Sequence, residues 1–174
     1  MKQKKRHRGV KITIKKATIR DLERLVSQRH RMFEDIVRRS PNEHAVADRL
    51  YRKWIVDMIR KKRFAAFLAV TEEGGYVAGG CVWIRETQPS PRYPLLRMPY
   101  LLSMYTEPEF RGIGLAARIV KVAMNWSKKK GYSMMSLHAS VMGRRVYKKL
   151  GWKRTWEMRV NFSTRRSRKD AHPR

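Results

Sequence analysis

A strand-like run, a glycine-containing turn and the start of a helix follow one another between Leu101 and Arg118. Gly112 and Gly114 lie in the turn, where the lack of a Cβ lets the backbone approach a ligand closely. Amides that have left the strand and are not yet used by the helix point at one spot, and the helix dipole makes that spot favour anions. A diphosphate fits there, although two glycines near a helix start also form simple tight turns. The absence of a third glycine argues against a Rossmann dinucleotide site.

Histidine and cysteine residues do not form a metal-binding pattern. His30, His44 and His138 lack metal-ligand spacing with one another or with Cys81, so we predict no metal site. Cys81 lies within the strand-like run 77–83, where a small buried apolar residue is the ordinary interpretation.

The single cysteine also excludes an intrachain disulfide and fits a reducing compartment. No run approaches the ~18 apolar residues of a membrane-spanning helix. The basic N-terminus is not followed by an uninterrupted apolar segment, so it does not read as a signal peptide. We therefore expect a cytoplasmic protein that does not enter a membrane.

The elements around the turn follow from apolar periodicity. Alternation predicts a strand over 10–14, and helical spacing predicts a helix from Thr18 that Pro41 and Asn42 end. Further along we expect a helix over 44–62, then strands over 64–70 and 76–84 joined by a hairpin turn at 71–75.

The second half of the chain begins with four prolines within 87–99, which predict a long loop. After it come a strand over 100–106, a helix over 114–130 ended by Gly131, a strand over 133–138 and a short helix over 142–150. A last strand is predicted over 152–162, with one face formed by Trp152, Trp156, Met158, Val160 and Phe162. The order is β-α-α-β-β-β-α-β-α-β.

Two motifs in this order resemble those of the GCN5-related N-acetyltransferase (GNAT) family. The residues Arg111-x-x-Gly114-x-Ala116 match the family's Arg/Gln-x-x-Gly-x-Gly/Ala acyl-CoA signature. The run Gly143-Arg-Arg-Val-Tyr147-Lys-Lys-Leu-Gly-Trp152 looks like its second cofactor-proximal motif. The resemblance covers about residues 10–162 and implies an α+β (α/β/α) fold, with a mixed, mostly antiparallel twisted sheet flanked by helices and splayed between two central strands.

The resemblance also implies residue roles for a transfer of the acetyl group of acetyl-CoA to a primary amine. Backbone groups of the strand formed by Met104, Tyr105 and Thr106 would pair with the pantetheine arm. The diphosphate would be wrapped by the amides of Arg111, Gly112, Ile113, Gly114, Leu115 and Ala116.

Tyr147 would return a proton to the leaving thiolate, or else be a core tyrosine of a short helix. The asparagine often found upstream of that tyrosine in the family is absent here, where the chain has His138 and Ser140. Glu34 and Asp35 are candidates for the base that deprotonates the amine, and Ser103 for holding a water. For each of these three a surface or structural role is the competing interpretation.

Charge divides the chain unevenly. The protein has 174 residues and a formal net charge of +28. We expect a basic N-terminal arm over 1–9, one folded domain over 10–162 and a basic tail over 163–174. From Arg111 to Arg154 there are twelve basic residues and no acidic residue.

Such a surface attracts polyanions. The alternative function is therefore a nucleic-acid or ribosome-associated binding protein with a residual CoA site, while an unusual cytosol could also account for the charge. The sequence leaves the acceptor and the oligomeric state open, a dimer included. The positive field would disfavour a cationic acceptor.

Overall fold

The described residues contain five strands, which form one open sheet in the order β1-β2-β3-β4-β5. A computed structural model describes residues 10–37 and 40–160. The strands are β1 (Ile12–Lys16), β2 (Phe64–Thr71), β3 (Tyr76–Glu86), β4 (Arg97–Thr106) and β5 (Ser136–Leu137). The first four pair in antiparallel fashion, whereas β5 runs parallel to β4. The expected mixed, mostly antiparallel α+β sheet is confirmed.

In residues 10–37 and 40–160, four α-helices cover the two faces of the sheet. Helices α1 (Leu22–Ile36) and α2 (Pro41–Arg60) lie on one face, and α3 (Leu115–Lys129) and α4 (Arg144–Lys149) lie on the other. Each face has its own apolar core, one centred on Leu25, Ile55 and Leu68 and the other on Val82, Leu115 and Ile119. In the described part of the chain no helix is both long and apolar enough to cross a membrane.

Pro41 begins a helix where the sequence analysis placed a break. Ser40 caps α2 by accepting a hydrogen bond from the Glu43 amide, while the Glu43 carboxylate accepts from the Ser40 amide. Proline is well tolerated at the first helical position because that position needs no intrahelical N–H bond. The helix predicted over 44–62 therefore starts three residues earlier.

Pro99 lies inside β4, although the prolines of 87–99 predict a loop that ends at this residue. Its register partner is Ile84, whose N–H donates to the Arg63 carbonyl. Since that bond points away from β4, Ile84 and Pro99 form a non-hydrogen-bonded pair. The nitrogen of Pro99 faces the side where β5 has not yet begun, so the missing N–H leaves the ladder intact.

The strand predicted over 152–162 is wrong for the residues that the structure describes. Residues 152–160 belong to no strand, and Trp156 and Met158 are more than nine-tenths exposed. Alternation of apolar and polar residues predicts a strand only if one face is buried, and no strand pairs with this segment. Residues 161 and 162 lie outside the described part of the chain.

Asp21 joins the start of α1 to the sheet. It is 4% exposed and accepts hydrogen bonds from the Lys15 ammonium, the Thr18 amide and the Tyr76 hydroxyl. Burial alone would raise the pKa of Asp21, but these donors outweigh it and lower that pKa to about 2. The ionised carboxylate therefore stabilises the fold.

We expect Asp21→Asn to reduce the free energy of unfolding by about 2 kcal/mol at pH 7. Because the folded pKa lies below the unfolded one, this contribution is complete above about pH 5 and disappears as the pH falls towards 2. Denaturant unfolding at several pH values measures it, with Asp57→Asn, an exposed i,i+4 partner of Lys61, as the control. A constant difference between wild type and Asp21→Asn from pH 7 to pH 2 would contradict this role.

Candidate active site

The sheet opens between β4 and β5. These two strands pair only at Tyr100 with Ser136 and at Leu101 with Leu137. Residues 102–106 continue β4 without a strand on that side in the described part of the chain. The Glu107 N–H donates to the Val77 carbonyl on the β3 side, so the alternating backbone groups of Thr106 and Met104 face the opening.

A bulge in β4 lies beside this opening. Between the pairs Gly79 with Tyr105 and Cys81 with Leu102, β4 has one residue more than β3, and Ser103 has a φ of +51°. As a result, Leu102 and Ser103 both face the α1–α2 side, while Met104 packs towards α3. Gly80 has no room for a Cβ because the Met104 sulfur lies against it.

The glycine turn leads from the end of β4 into α3. Gly112 and Gly114 have φ values of +81° and +88°, in the left-handed region that favours glycine. No side chain caps the start of α3, and its first turn has no acidic residue. The side chains of Ile113 and Leu115 are apolar, and Leu115 is buried in the core. The polar groups that this turn can present to a ligand are therefore its backbone amides. The amide groups and the uncompensated helix dipole suit a diphosphate.

Arg111 ties the turn to α1. Its Nε donates to the Thr106 carbonyl at 2.9 Å and its guanidinium forms an ion pair with Asp35. The Tyr105 ring lies near the guanidinium groups of both Arg111 and Arg31. The buried Tyr105 ring therefore packs near the Arg111 guanidinium. The Asp35 carboxylate is bound in an ion pair with Arg111.

Tyr147 is half-buried on α4, on the α3 side of the sheet. Its ring packs against Trp152 and against Gly143, where an added Cβ would lie 2.8 Å from the ring. Burial raises the pKa of Tyr147 to about 12, so the phenol is protonated at neutral pH. Among the described residues its hydroxyl has no hydrogen-bond partner, which leaves the proton available to a ligand.

Ser103 belongs to a buried polar cluster that the sequence did not reveal. The Tyr51 hydroxyl from α2 lies 3.2 Å from the Ser103 hydroxyl and 3.8 Å from the Cys81 sulfur. The Arg29 guanidinium lies 4.2 Å from the centre of the Tyr51 ring. Burial raises the pKa of the Cys81 thiol to about 12. The sequence analysis did not single out Tyr51, and nothing in the sequence pointed to its partner on β4.

Glu34 lies on the outer part of α1. One carboxylate oxygen is 3.5 Å from His30 Nε2, while His30 Nδ1 lies 2.6 Å from Asp48 on α2. A cavity of about 320 Å³ opens between the two helices, lined by residues that include Arg29, Phe33, His44 and Asp48. The site therefore separates its candidate groups, with Ser103, Glu34 and Asp35 on the α1–α2 side and Tyr147 on the α3 side.

Among the described residues no group of three or more His, Cys, Asp or Glu side chains could hold a metal ion.

Comparisons with known proteins agree with this geometry. Residues 63–154 match the family model described as "Acetyltransferase (GNAT) domain". No curated protein sequence was found to match.

Many solved structures are similar. A predicted acetyltransferase from Clostridium acetobutylicum, determined with acetyl-CoA, is 26% identical with a TM-score of 0.78, over 87% of this chain and 96% of that chain. A GCN5-related N-acetyltransferase from Ralstonia eutropha JMP134 is 26% identical with a TM-score of 0.79, over 87% of this chain and 98% of that chain. Glucosamine-6-phosphate N-acetyltransferase from Arabidopsis thaliana, at 20% identity and a TM-score of 0.65 over 88% of this chain and 99% of that chain, shares the fold.

Proposed function

Because this chain belongs to the GCN5-related N-acetyltransferase family, we propose that it transfers the acetyl group of acetyl-CoA to a primary amine by direct attack within a ternary complex. The chain is an acetyl-CoA-dependent N-acetyltransferase, and the proposal concerns its acceptor, its mechanism and the residues that act.

The opening between β4 and β5 beside the glycine turn is the observation that carries the proposal. Met104 presents backbone groups towards the opening, as a strand edge does towards an added strand, and Thr106 presents its N–H there while its carbonyl accepts from Arg111. The turn from Arg111 to Ala116 follows directly, so the cofactor's amide-containing arm and its diphosphate would be bound by adjacent segments. Acetyl-CoA fits these two features in that order.

Direct attack is favoured over an acetylated enzyme because the only cysteine is a poor nucleophile. Cys81 is 2% exposed, and its raised pKa keeps it in the unreactive thiol form at neutral pH. The acceptor nitrogen would therefore form its bond to the acetyl carbon as the carbon–sulfur bond breaks. The amine loses one proton and the departing sulfur gains one.

Tyr147 is the proposed proton donor to the sulfur. Its protonated hydroxyl is free of protein partners among the described residues. A free thiol has a pKa of ~8.5, well below that of this phenol, so transfer of the proton from Tyr147 to the developing thiolate is itself uphill and is completed when the phenolate takes a proton from solvent.

Glu34 and Ser103 are the proposed groups on the acceptor side. Glu34 is more than half exposed and can take the amine proton directly or through water, and Ser103 can hold that water beside the β4 bulge. Asp35 is a weaker candidate because its carboxylate is bound to Arg111.

We expect Glu34→Gln to lower turnover about tenfold at neutral pH. The loss should shrink as the pH rises, because more of the amine is then neutral without a base. The pH profile of kcat/KM measures this, with Glu23→Gln on the first turn of α1 as the control. A loss that is the same at every pH would remove Glu34 from the role of base.

Acetyl-CoA turnover with a panel of primary amines tests the function. We expect CoA thiol release and an acetylated acceptor only when both substrates are present. Intact-protein mass after incubation with acetyl-CoA alone should show no acetyl adduct. An adduct on Cys81 that disappears when an amine is added would overturn direct attack, and no turnover with any amine or protein acceptor would overturn the function.

A further inference from the structure

The two helical layers differ sharply in charge. Helices α1 and α2 together contain seven Lys and Arg and six Asp and Glu residues. Helices α3 and α4 contain eight Lys and Arg residues and no acidic residue, although they have only 21 residues against 35. Within the helices, most of the excess positive charge therefore lies on one face of the sheet.

The eight basic side chains on this α3–α4 face are exposed, and none forms an ion pair with the described residues. They are Arg118, Lys121, Lys128, Lys129, Arg144, Arg145, Lys148 and Lys149. Of these, Arg118 donates to the Ile12 carbonyl. By contrast, three of the seven bases of α1 and α2 form ion pairs with acids: Arg29 with Asp48, Arg31 with Glu107 and Arg52 with Glu23.

Acetyl-CoA cannot account for the whole of this face. Its phosphates carry about four negative charges, and the diphosphate would lie at the N-terminus of α3. Lys128 is fourteen residues beyond Gly114, which places it ~20 Å further along the helix. A partner that covers the face must therefore be an extended polyanion.

A cavity lies at the edge of the sheet where α3 ends, between the two helical layers, with Trp126 on the α3 side and Leu25 and Ile59 on the α1–α2 side. Its volume is about 340 Å³, and it is lined by residues that include Lys16, Lys62 and Lys130 together with Phe64 and Trp126. None of the three lysines is paired with an acidic residue in the described part of the chain. Lysines around aromatic side chains are the combination by which proteins bind the phosphates and bases of single strands.

We propose that the α3–α4 face binds single-stranded nucleic acid, with phosphates on its basic side chains and a base in the cavity at the end of α3. An acidic peptide would satisfy the lysines but has no regular planar group for the Phe64 and Trp126 walls. A duplex would contact the basic residues but keeps its bases stacked and out of the cavity. This binding is additional to acetyl transfer and does not depend on the proposed acceptor chemistry.

Fluorescence anisotropy of labelled single-stranded RNA and DNA of one sequence, titrated at several salt concentrations, tests the proposal. We expect Lys128→Gln/Lys129→Gln to weaken binding at least about tenfold at ~50 mM salt, and to reduce the slope of log affinity against log salt by about 1.4. The matched control is Arg49→Gln/Lys53→Gln, which removes two exposed, unpaired charges from α2. Its affinity should change less than twofold.

CoA titration of both variants should give unchanged affinity, which verifies folding and separates this face from the cofactor site. The RNA and DNA arms identify which strand is preferred, and tight binding of either supports the proposal. It is overturned if both variants lose affinity equally, if a duplex of the same sequence binds as tightly as the single strand, or if polyaspartate competes as well as the nucleic acid.

Discussion

Gly114→Glu is expected to weaken CoA binding about a hundredfold, which is ~2.7 kcal/mol. Gly114 begins α3 with a φ of +88°, and an added Cβ would meet no protein atom within 4 Å. The glutamate would therefore extend into the open space where the diphosphate is proposed to bind, and its negative charge would repel that anion. Calorimetric titration with CoA measures the loss.

Two substitutions separate charge from backbone strain. Gly114→Gln has the same left-handed strain and size without the charge, so we expect it to bind CoA clearly better than Gly114→Glu. Gly131→Glu places the same residue at an equally left-handed and open glycine at the other end of α3. Equal affinities for Gly114→Gln and Gly114→Glu would show that the diphosphate does not bind at this turn.

Tyr147→Phe is expected to lower turnover ~10²- to 10⁴-fold while CoA affinity changes little. The substitution keeps the ring that packs on Gly143 and Trp152 and removes only the hydroxyl. Because the pKa of Tyr147 is about 12, the wild-type rate should not fall on the alkaline side up to about pH 10. Steady-state kinetics across pH, with CoA binding measured separately, provides the comparison.

Tyr132→Phe is the matched control, since it removes a phenol from the segment between α3 and β5. A turnover of Tyr147→Phe within twofold of wild type would mean that water protonates the thiolate and that Tyr147 serves packing alone. An early alkaline loss of activity in wild type, absent in Tyr147→Phe, would instead place the pKa of the working phenol well below 12.

Structural features that depend on residues close together in the chain could be predicted from the sequence. The glycines at 112, 114 and 131 identified the turn and the end of α3 because left-handed backbone favours glycine locally. The spacing of apolar residues identified the long helices because it too is a pattern among residues close together in the chain. The structural roles of Pro41 and Pro99 do not follow from their local sequence. A proline is tolerated where its missing N–H would have no hydrogen-bond partner. For Pro41 that depends on the helix cap formed by Ser40, and for Pro99 on which side of β4 is paired.

Contacts between residues far apart in the chain could not be predicted from the sequence. Arg111 and Asp35 are 76 positions apart, and Tyr51 and Ser103 are 52 apart, so no local pattern could join them. The β4 bulge that turns Ser103 towards Tyr51 depends on the pairing of β3 with β4. Similarly, the alternation from Trp152 onwards was compatible with a strand, but a strand also needs a neighbour, which residues 152–160 do not have.

The distribution of charge changes what should be expected of the acceptor. Total charge suggested that a cationic amine would be repelled, but the α1–α2 layer beside Ser103 and Glu34 is close to neutral. A positively charged acceptor can therefore approach from that side without crossing the α3–α4 face. Acceptor panels should accordingly include polyamines and lysine-containing peptides alongside neutral and acidic amines.

The partial pairing of β4 with β5 affects how readily the protein aggregates. In the described part of the chain, residues 102–106 form an unpaired strand edge, the kind of surface on which a second copy can add a strand and begin aggregation. A net charge of +28 opposes that encounter because like-charged copies repel one another at low ionic strength. Salt screens this repulsion but leaves the edge unpaired, so the protein without CoA should be kept in buffer of low ionic strength.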